Sequence, residues 1–156
     1  LDFTVNYGVK EIISALNKFI ETEVVPHQEK YKRELENERK TFGMTIGNHQ
    51  AIPKMLAECA IDIYAGHNIL LNCAWKMENQ SDLPIKEISI IKAFCTEMAQ
   101  RVIDKCMQIH EGMGLTNELK LEKAWRWARM MRIPYGTTEI QKRIIAKKML
   151  QGDLHF

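Results

Sequence analysis

The chain has 156 residues, 46% hydrophobic and 27% charged, an ordinary balance for one folded domain with a substantial core. The 22 Lys and Arg against 20 Asp and Glu leave a formal charge of +2, which gives no electrostatic case for nucleic acid or a membrane surface. No apolar run approaches the roughly 20 residues of a bilayer span, no secretory leader is expected, and Leu1 in first place suits a fragment or a processed product.

From Val9 to Val25, Ile12, Ile13, Leu16, Phe19, Ile20 and Val24 recur at three- and four-residue spacing, which predicts an amphipathic helix ended or kinked near Val25 by Pro26. His27 to Lys40 is heavily charged, with Glu34 and Glu38 among Lys and Arg, and reads as a solvated helix. A long helix is expected from about Asn48 to Met77, with Pro53 near its start and a core side of Ile52, Met55, Leu56, Cys59, Ile63, Leu70 and Trp75. Asn79–Pro84 is a turn-rich break. The next helix, about Lys86 to His110, carries Ile88, Ile91, Phe94, Met98, Val102 and Met107. Two shorter helices, roughly Glu118 to Met131 and Thr138 to Gln151, close the pattern. No stretch alternates with period two for long enough to promise a strand, so the expected fold is all-α, an up-down helical bundle.

Cys59, Cys73, Cys95 and Cys106 all fall in apolar helical patterns and none forms a C-x-x-C pair, so they read as buried intracellular thiols in a cytoplasmic protein. Cys106 and His110 stand one turn apart, as do Glu58 and Asp62, but neither pair has the further ligands of a metal site, and no metal is expected. Trp125 and Trp127 sit among Lys123, Arg126, Arg129 and Arg132. Residues two apart on a helix face different sides, so one indole is expected in the core and the other at a surface, not as a nucleic-acid platform.

Two glycine-bearing turns carry the chemistry. Gly112-Met-Gly114 has no third glycine and no preceding strand, so it reads as a helix C-terminal turn rather than a dinucleotide fingerprint. Gly136-Thr-Thr138 opens the last helix, where unpaired N–H groups can meet an anion, and Thr138 with Gln141 fits a capping box that would satisfy those groups internally.

Three words in order, Arg39-Lys-Thr-Phe-Gly43, Gln108-Ile-His-Glu-Gly-Met-Gly114 and Gly136-Thr-Thr-Glu-Ile-Gln141, resemble the carboxy-terminal helical domain of acyl-CoA dehydrogenases. The second word departs from the family pattern by carrying Glu111 in place of the first glycine. Phe19-Ile-Glu-Thr-Glu-Val-Val-Pro-His27 is similar to the start of that family's amino-terminal helical domain. The expected organisation is therefore an amino-terminal helical segment, 1–38, and a four-helix carboxy-terminal part, 39–156, within one compact domain. The family's middle β-domain is missing at a seam near Arg33 to Glu38.

The resemblance implies a flavoprotein that desaturates acyl-CoA thioesters at α,β in fatty acid metabolism. It implies FAD as cofactor, held at Arg39, Phe42, Gln108, Gly112, Thr137 and Glu139, partly across a subunit interface. Tyr135 and Gly136 take the substrate-binding positions, and Tyr135 stands where the family often places its catalytic glutamate. A phenol with pKa near 10 is protonated at neutral pH, so Tyr135 is not expected to serve as the base, and low turnover is expected of the isolated chain. The alternative is a non-catalytic helical scaffold that pairs with itself or with a related full-length subunit.

Overall fold

Lys40–Thr41 (β1) and Met44–Thr45 (β2) form a two-stranded antiparallel ladder, with Lys40 opposite Thr45 and Thr41 opposite Met44. Phe42 and Gly43 turn it, both in the left-handed region at φ 52° and 79°. His49 braces the hairpin: its Nε2 lies 2.9 Å from Thr41 Oγ1 and 3.1 Å from the Thr41 carbonyl oxygen. The sequence predicted no strand and a helix through Lys40. A ladder of two residues a side is too short to carry a period-two pattern, and this corrects both expectations.

The structure, a computed structural model, describes residues 40–155. The helix expected at Val9–Val25 and all of the one expected at His27–Lys40 except Lys40, Arg39 included, lie outside the described residues. After a 3₁₀ turn at Ile46–Asn48 come four α-helices: α1 (Ala51–Asn79), α2 (Ile85–His110), α3 (Leu121–Met131) and α4 (Thr138–Leu150). A second 3₁₀ turn, Glu111–Leu115, follows α2 directly. The all-α expectation holds, and the short ladder does not alter it. The chain divides into two compact units at Glu58/Cys59, a point that falls inside α1.

Helix limits follow local chemistry. Pro53 is the third residue of α1, where an N–H has no intrahelical partner to lose. Helix α3 begins at Leu121 rather than Glu118 because Lys120 is left-handed at φ 55°. Within the second unit α1 runs antiparallel to α2. Cys59 Sγ reaches the Val102 carbonyl, Asp62 pairs with Arg101 at 2.9 Å, Cys95 Sγ reaches the Gly66 carbonyl, and Lys76 meets Glu87 at 2.5 Å.

Helix α2 is the centre of this unit. It packs on α3, α4 and the second 3₁₀ turn, and it buries Ile88, Ile91, Ala93, Cys95, Met98, Ala99, Val102, Ile103 and Ile109. Burial on several sides is why its apolar pattern is broader than one stripe. It also buries two lysines, Lys86 and Lys92. Lys86 donates to Asp153 Oδ1 at 2.6 Å, to the Asp153 carbonyl at 3.1 Å and to the His155 carbonyl.

Helix α1 corrects the expected core. Its buried residues are Cys59, Gly66, Leu70 and Cys73, whereas Leu56 and Trp75 are exposed, Trp75 at 59%. A second apolar line of Ile61, Tyr64, Leu71 and Trp75 stands exposed on the same helix. Periodicity identifies both lines without saying which one is covered. Two smaller corrections follow: Cys106 is only half-buried, and neither Trp125 nor Trp127 reaches the buried core.

Candidate functional site

The α3–α4 turn is built by clamps from α2. Lys92 donates to the Arg132 carbonyl at 3.1 Å. The Arg132 guanidinium, in turn, donates to Glu97 Oε1 and Gln100 Oε1, each at 3.1 Å. Lys142 reaches the same Glu97 oxygen at 3.7 Å. Burial lowers the Lys92 ammonium pKa, and repulsion from Arg132 adds to that. This set was not found in the sequence, since its members lie more than 30 positions apart. A lysine between Ile91 and Ala93, on the apolar side of a helix, was the available signal.

The turn itself holds two residues in left-handed backbone, Tyr135 at φ 57° and Gly136 at φ 91°. The positive φ favours glycine at 136, and a Cβ there would lie 2.9 Å from the Gln141 amide nitrogen, so a side chain would displace that amide. The Gln141 amide donates to the Tyr135 carbonyl at 3.0 Å and to the Gly136 carbonyl at 3.3 Å. Tyr135 is 57% exposed.

The capping box expected of Thr138 and Gln141 is therefore corrected. The N-cap is Thr137, its side chain makes no capping bond, and Gln141 turns to carbonyls instead of an N–H. The Thr137 hydroxyl and the Glu139 backbone N–H both bond the Glu139 carboxylate, and Thr137 contributes most to holding its pKa down. Thr138 Oγ1 and Arg132 Nε are buried without a hydrogen-bond partner. Orphaned polar atoms beside a helix N-terminus suit a ligand with a polar edge.

Tyr135, Gly136, Thr137 and Glu139 thus come together at one turn. Gln108 and Gly112 do not join them within one chain. Gln108 is exposed near the end of α2, about 12 Å along the axis beyond Gln100 at 1.5 Å per residue. Gly112 is also exposed, and a Cβ there would meet nothing within 4 Å. Glu111 ahead of it takes the positive φ, 53°, that the turn requires. Phe42 is 98% exposed on the hairpin, 6.3 Å from the His49 ring in an edge arrangement. Arg39 lies outside the described residues.

The family profile for the acyl-CoA dehydrogenase C-terminal domain matches residues 32–150. The probable acyl-CoA dehydrogenase YngJ of Bacillus subtilis (strain 168) is 38% identical over 114 residues, 73% of this chain and 30% of that protein. (R)-Benzylsuccinyl-CoA dehydrogenase of Thauera aromatica is 36% identical over 115 residues, 73% of this chain and 28% of its own length. The solved FAD complex of PigA matches with a TM-score of 0.71 at 25% identity, covering 86% of this chain and 32% of that one. The chain spans about three-tenths of the length of the curated relatives it matches.

Proposed function

The chain belongs to the acyl-CoA dehydrogenase family through its C-terminal domain, and on that premise we propose that it is the cofactor-holding helical part of an acyl-CoA dehydrogenase-type flavoprotein. The observation that carries this reading is the start of α4, where Thr138 Oγ1 and Arg132 Nε are buried without partners beside the left-handed Tyr135–Gly136 turn. When bound, FAD supplies the two-electron acceptor for α,β-desaturation of an acyl-CoA thioester. Thr137 and Glu139 would meet its polar edge at α4, and Gly112 leaves room for backbone approach at the end of α2. Arg39, Phe42 and Gln108 complete the proposed cofactor set.

Two clusters separated along one bundle suit a cofactor shared between two copies. The helical part is taken as 39–156, preceded by the segment 1–38, in a cytoplasmic protein of fatty acid metabolism. Tyr135 and Gly136 would face the thioester. The Tyr135 backbone N–H can polarise its carbonyl, but the phenol is no base at neutral pH. Glu139 lies in the first turn of α4, beyond the left-handed Tyr135–Gly136 turn, and is assigned to the cofactor edge rather than to the base position.

The test is the visible spectrum of the purified chain after incubation with FAD and removal of free flavin. Flavin bands near one per chain support cofactor holding, and a colourless protein overturns it. Tyr135→Glu should recover little turnover, and a large recovery would show that the residue at 135 was the only defect.

A second reading, a helical scaffold pairing with itself or a related subunit, is favoured by the exposed line of Ile61, Tyr64, Leu71 and Trp75 on α1. Sedimentation equilibrium decides it. A strictly monomeric chain that also ignores a full-length relative rejects this reading.

A further inference from the structure

We propose that Cys59 of α1 and Cys106 of α2 form a paired-thiol site that hydrogen peroxide closes to a disulfide. Cys59 Sγ lies 4.0 Å from the Val102 carbonyl. Cys106 stands one helical turn beyond Val102, and a helical Cβ leans back toward the preceding turn, so both sulfurs occupy the same step of the α1–α2 contact. Cys59 is the neighbour that most raises the Cys106 thiol pKa, in keeping with that placement. Cys95 is engaged elsewhere, at the Gly66 carbonyl, and Cys73 is wholly buried. Cys59 is itself 7% exposed, whereas Cys106 is only half-buried, so an oxidant reaches Cys106 first.

The chemistry balances with peroxide as the oxidant. The Cys106 sulfur takes one peroxide oxygen as the O–O bond breaks, giving a sulfenic acid and one water. The Cys59 sulfur then attacks the Cys106 sulfur. The S–S bond forms, and the hydroxyl leaves with the Cys59 proton as a second water. Two thiols lose two electrons in all, and peroxide is reduced to two waters. The neighbouring Cys59 thiol and, after it, burial push the Cys106 thiol pKa up, so the thiolate is scarce and the closure slow. The bond would staple the third turn of α1 to the turn of α2 just before Gln108, and so would restrain the Gln108–Gly114 segment.

The test is peptide mapping of the full chain, without reductant, after exposure to excess hydrogen peroxide. The expected result is one intrachain Cys59–Cys106 disulfide, with Cys73 and Cys95 still alkylatable once the protein is unfolded. Phenylarsine oxide, which bridges neighbouring thiols, should bind the unoxidised chain one to one and block the closure. Cys59→Ser should leave a Cys106 sulfenic acid that dimedone traps. If that variant does not fold, the arsenical result on the unsubstituted chain decides. Accumulation of sulfinic acid at Cys106 in the unsubstituted chain, a disulfide through Cys73 or Cys95, or no arsenical uptake would overturn the proposal.

Discussion

The Cα of Gly114 faces the backbone of Met107 so closely that a Cβ there would sit 2.7 Å from the Met107 carbonyl oxygen and 2.9 Å from its Cα. Two residues earlier, the same turn leaves Gly112 in open space. Two glycines of one short word therefore do different work. Gly114 lets the 3₁₀ turn fold back on α2, and Gly112 is spare to the fold.

Gly114→Ala is expected to cost about 1–3 kcal/mol, because backbone rather than a flexible side chain must give way. Gly112→Ala should move stability by no more than about 0.5 kcal/mol, yet weaken FAD retention if a cofactor approaches its backbone. Urea unfolding with a flavin-retention assay on both variants separates the two roles. Equal destabilisation would refute the division.

Glu111 closes α2 at φ 53° and ψ −133°, a region that suits glycine and strains a side chain. It is also the position where this chain departs from the family word. Glu111→Gly should therefore stabilise the protein by about 1 kcal/mol, seen as a higher urea midpoint at unchanged slope. A lower midpoint would mean that the glutamate's own contacts outweigh the backbone strain.

Asp62 accepts two bonds from Arg101, from Nη2 at 2.9 Å and from Nε at 3.2 Å, and this fork holds its carboxyl below the usual range. A folded value below the unfolded one, near 3.9, means the contribution is present above that pH and fades as acid carries the pH through the folded value. Arg101 is largely exposed, so solvent limits the effect to about 1 kcal/mol at most. Asp62→Asn should lower stability by that amount at neutral pH and make no difference once both forms are neutral, as stability measured against pH would show.

Lys92 also has a lowered folded-state value, so its slope with pH has the same sign as that of Asp62, but here the charged form is the destabilised one. Burial lowers its folded-state value, so below that value the folded chain bears the cost of a buried cation. Above it the folded state holds fewer protons than the unfolded one, and stability rises with pH until the unfolded lysine value near 10.4 is passed. Lys92→Met should remove that rise. Unfolding midpoints from about pH 8 to about pH 11 test it, and an unchanged slope in the variant would assign the rise to other groups.

Much of the described fold was legible because Pro53 and the Asn79–Pro84 break punctuate strong helical periods. The limits of α2 and α4 fall within one residue of expectation. What failed failed for physical reasons. Trp75 was assigned to the core because α1 has two apolar lines and local spacing cannot rank them. The last helix was given the wrong cap because Thr137 and Thr138 are equally good by residue type. The Gly136–Glu139 site was visible through its resemblance and its glycine. The Lys92, Glu97 and Gln100 clamps on Arg132 were not, since they depend on which helices meet.

The buried Lys86 ammonium opens α2, but its partners at Asp153 and His155 come 67 and 69 residues later. At 5–20 residues per second, a ribosome needs roughly 3–14 s to make that stretch. Through that interval the cation has Glu87, 3.9 Å away on the same helix, but lacks the oxygens of Asp153 and His155 that lie nearest to it in the folded chain. The start of this central helix is therefore among the last parts of the unit to lock, and a nascent chain arrested before Asp153 should expose it to protease.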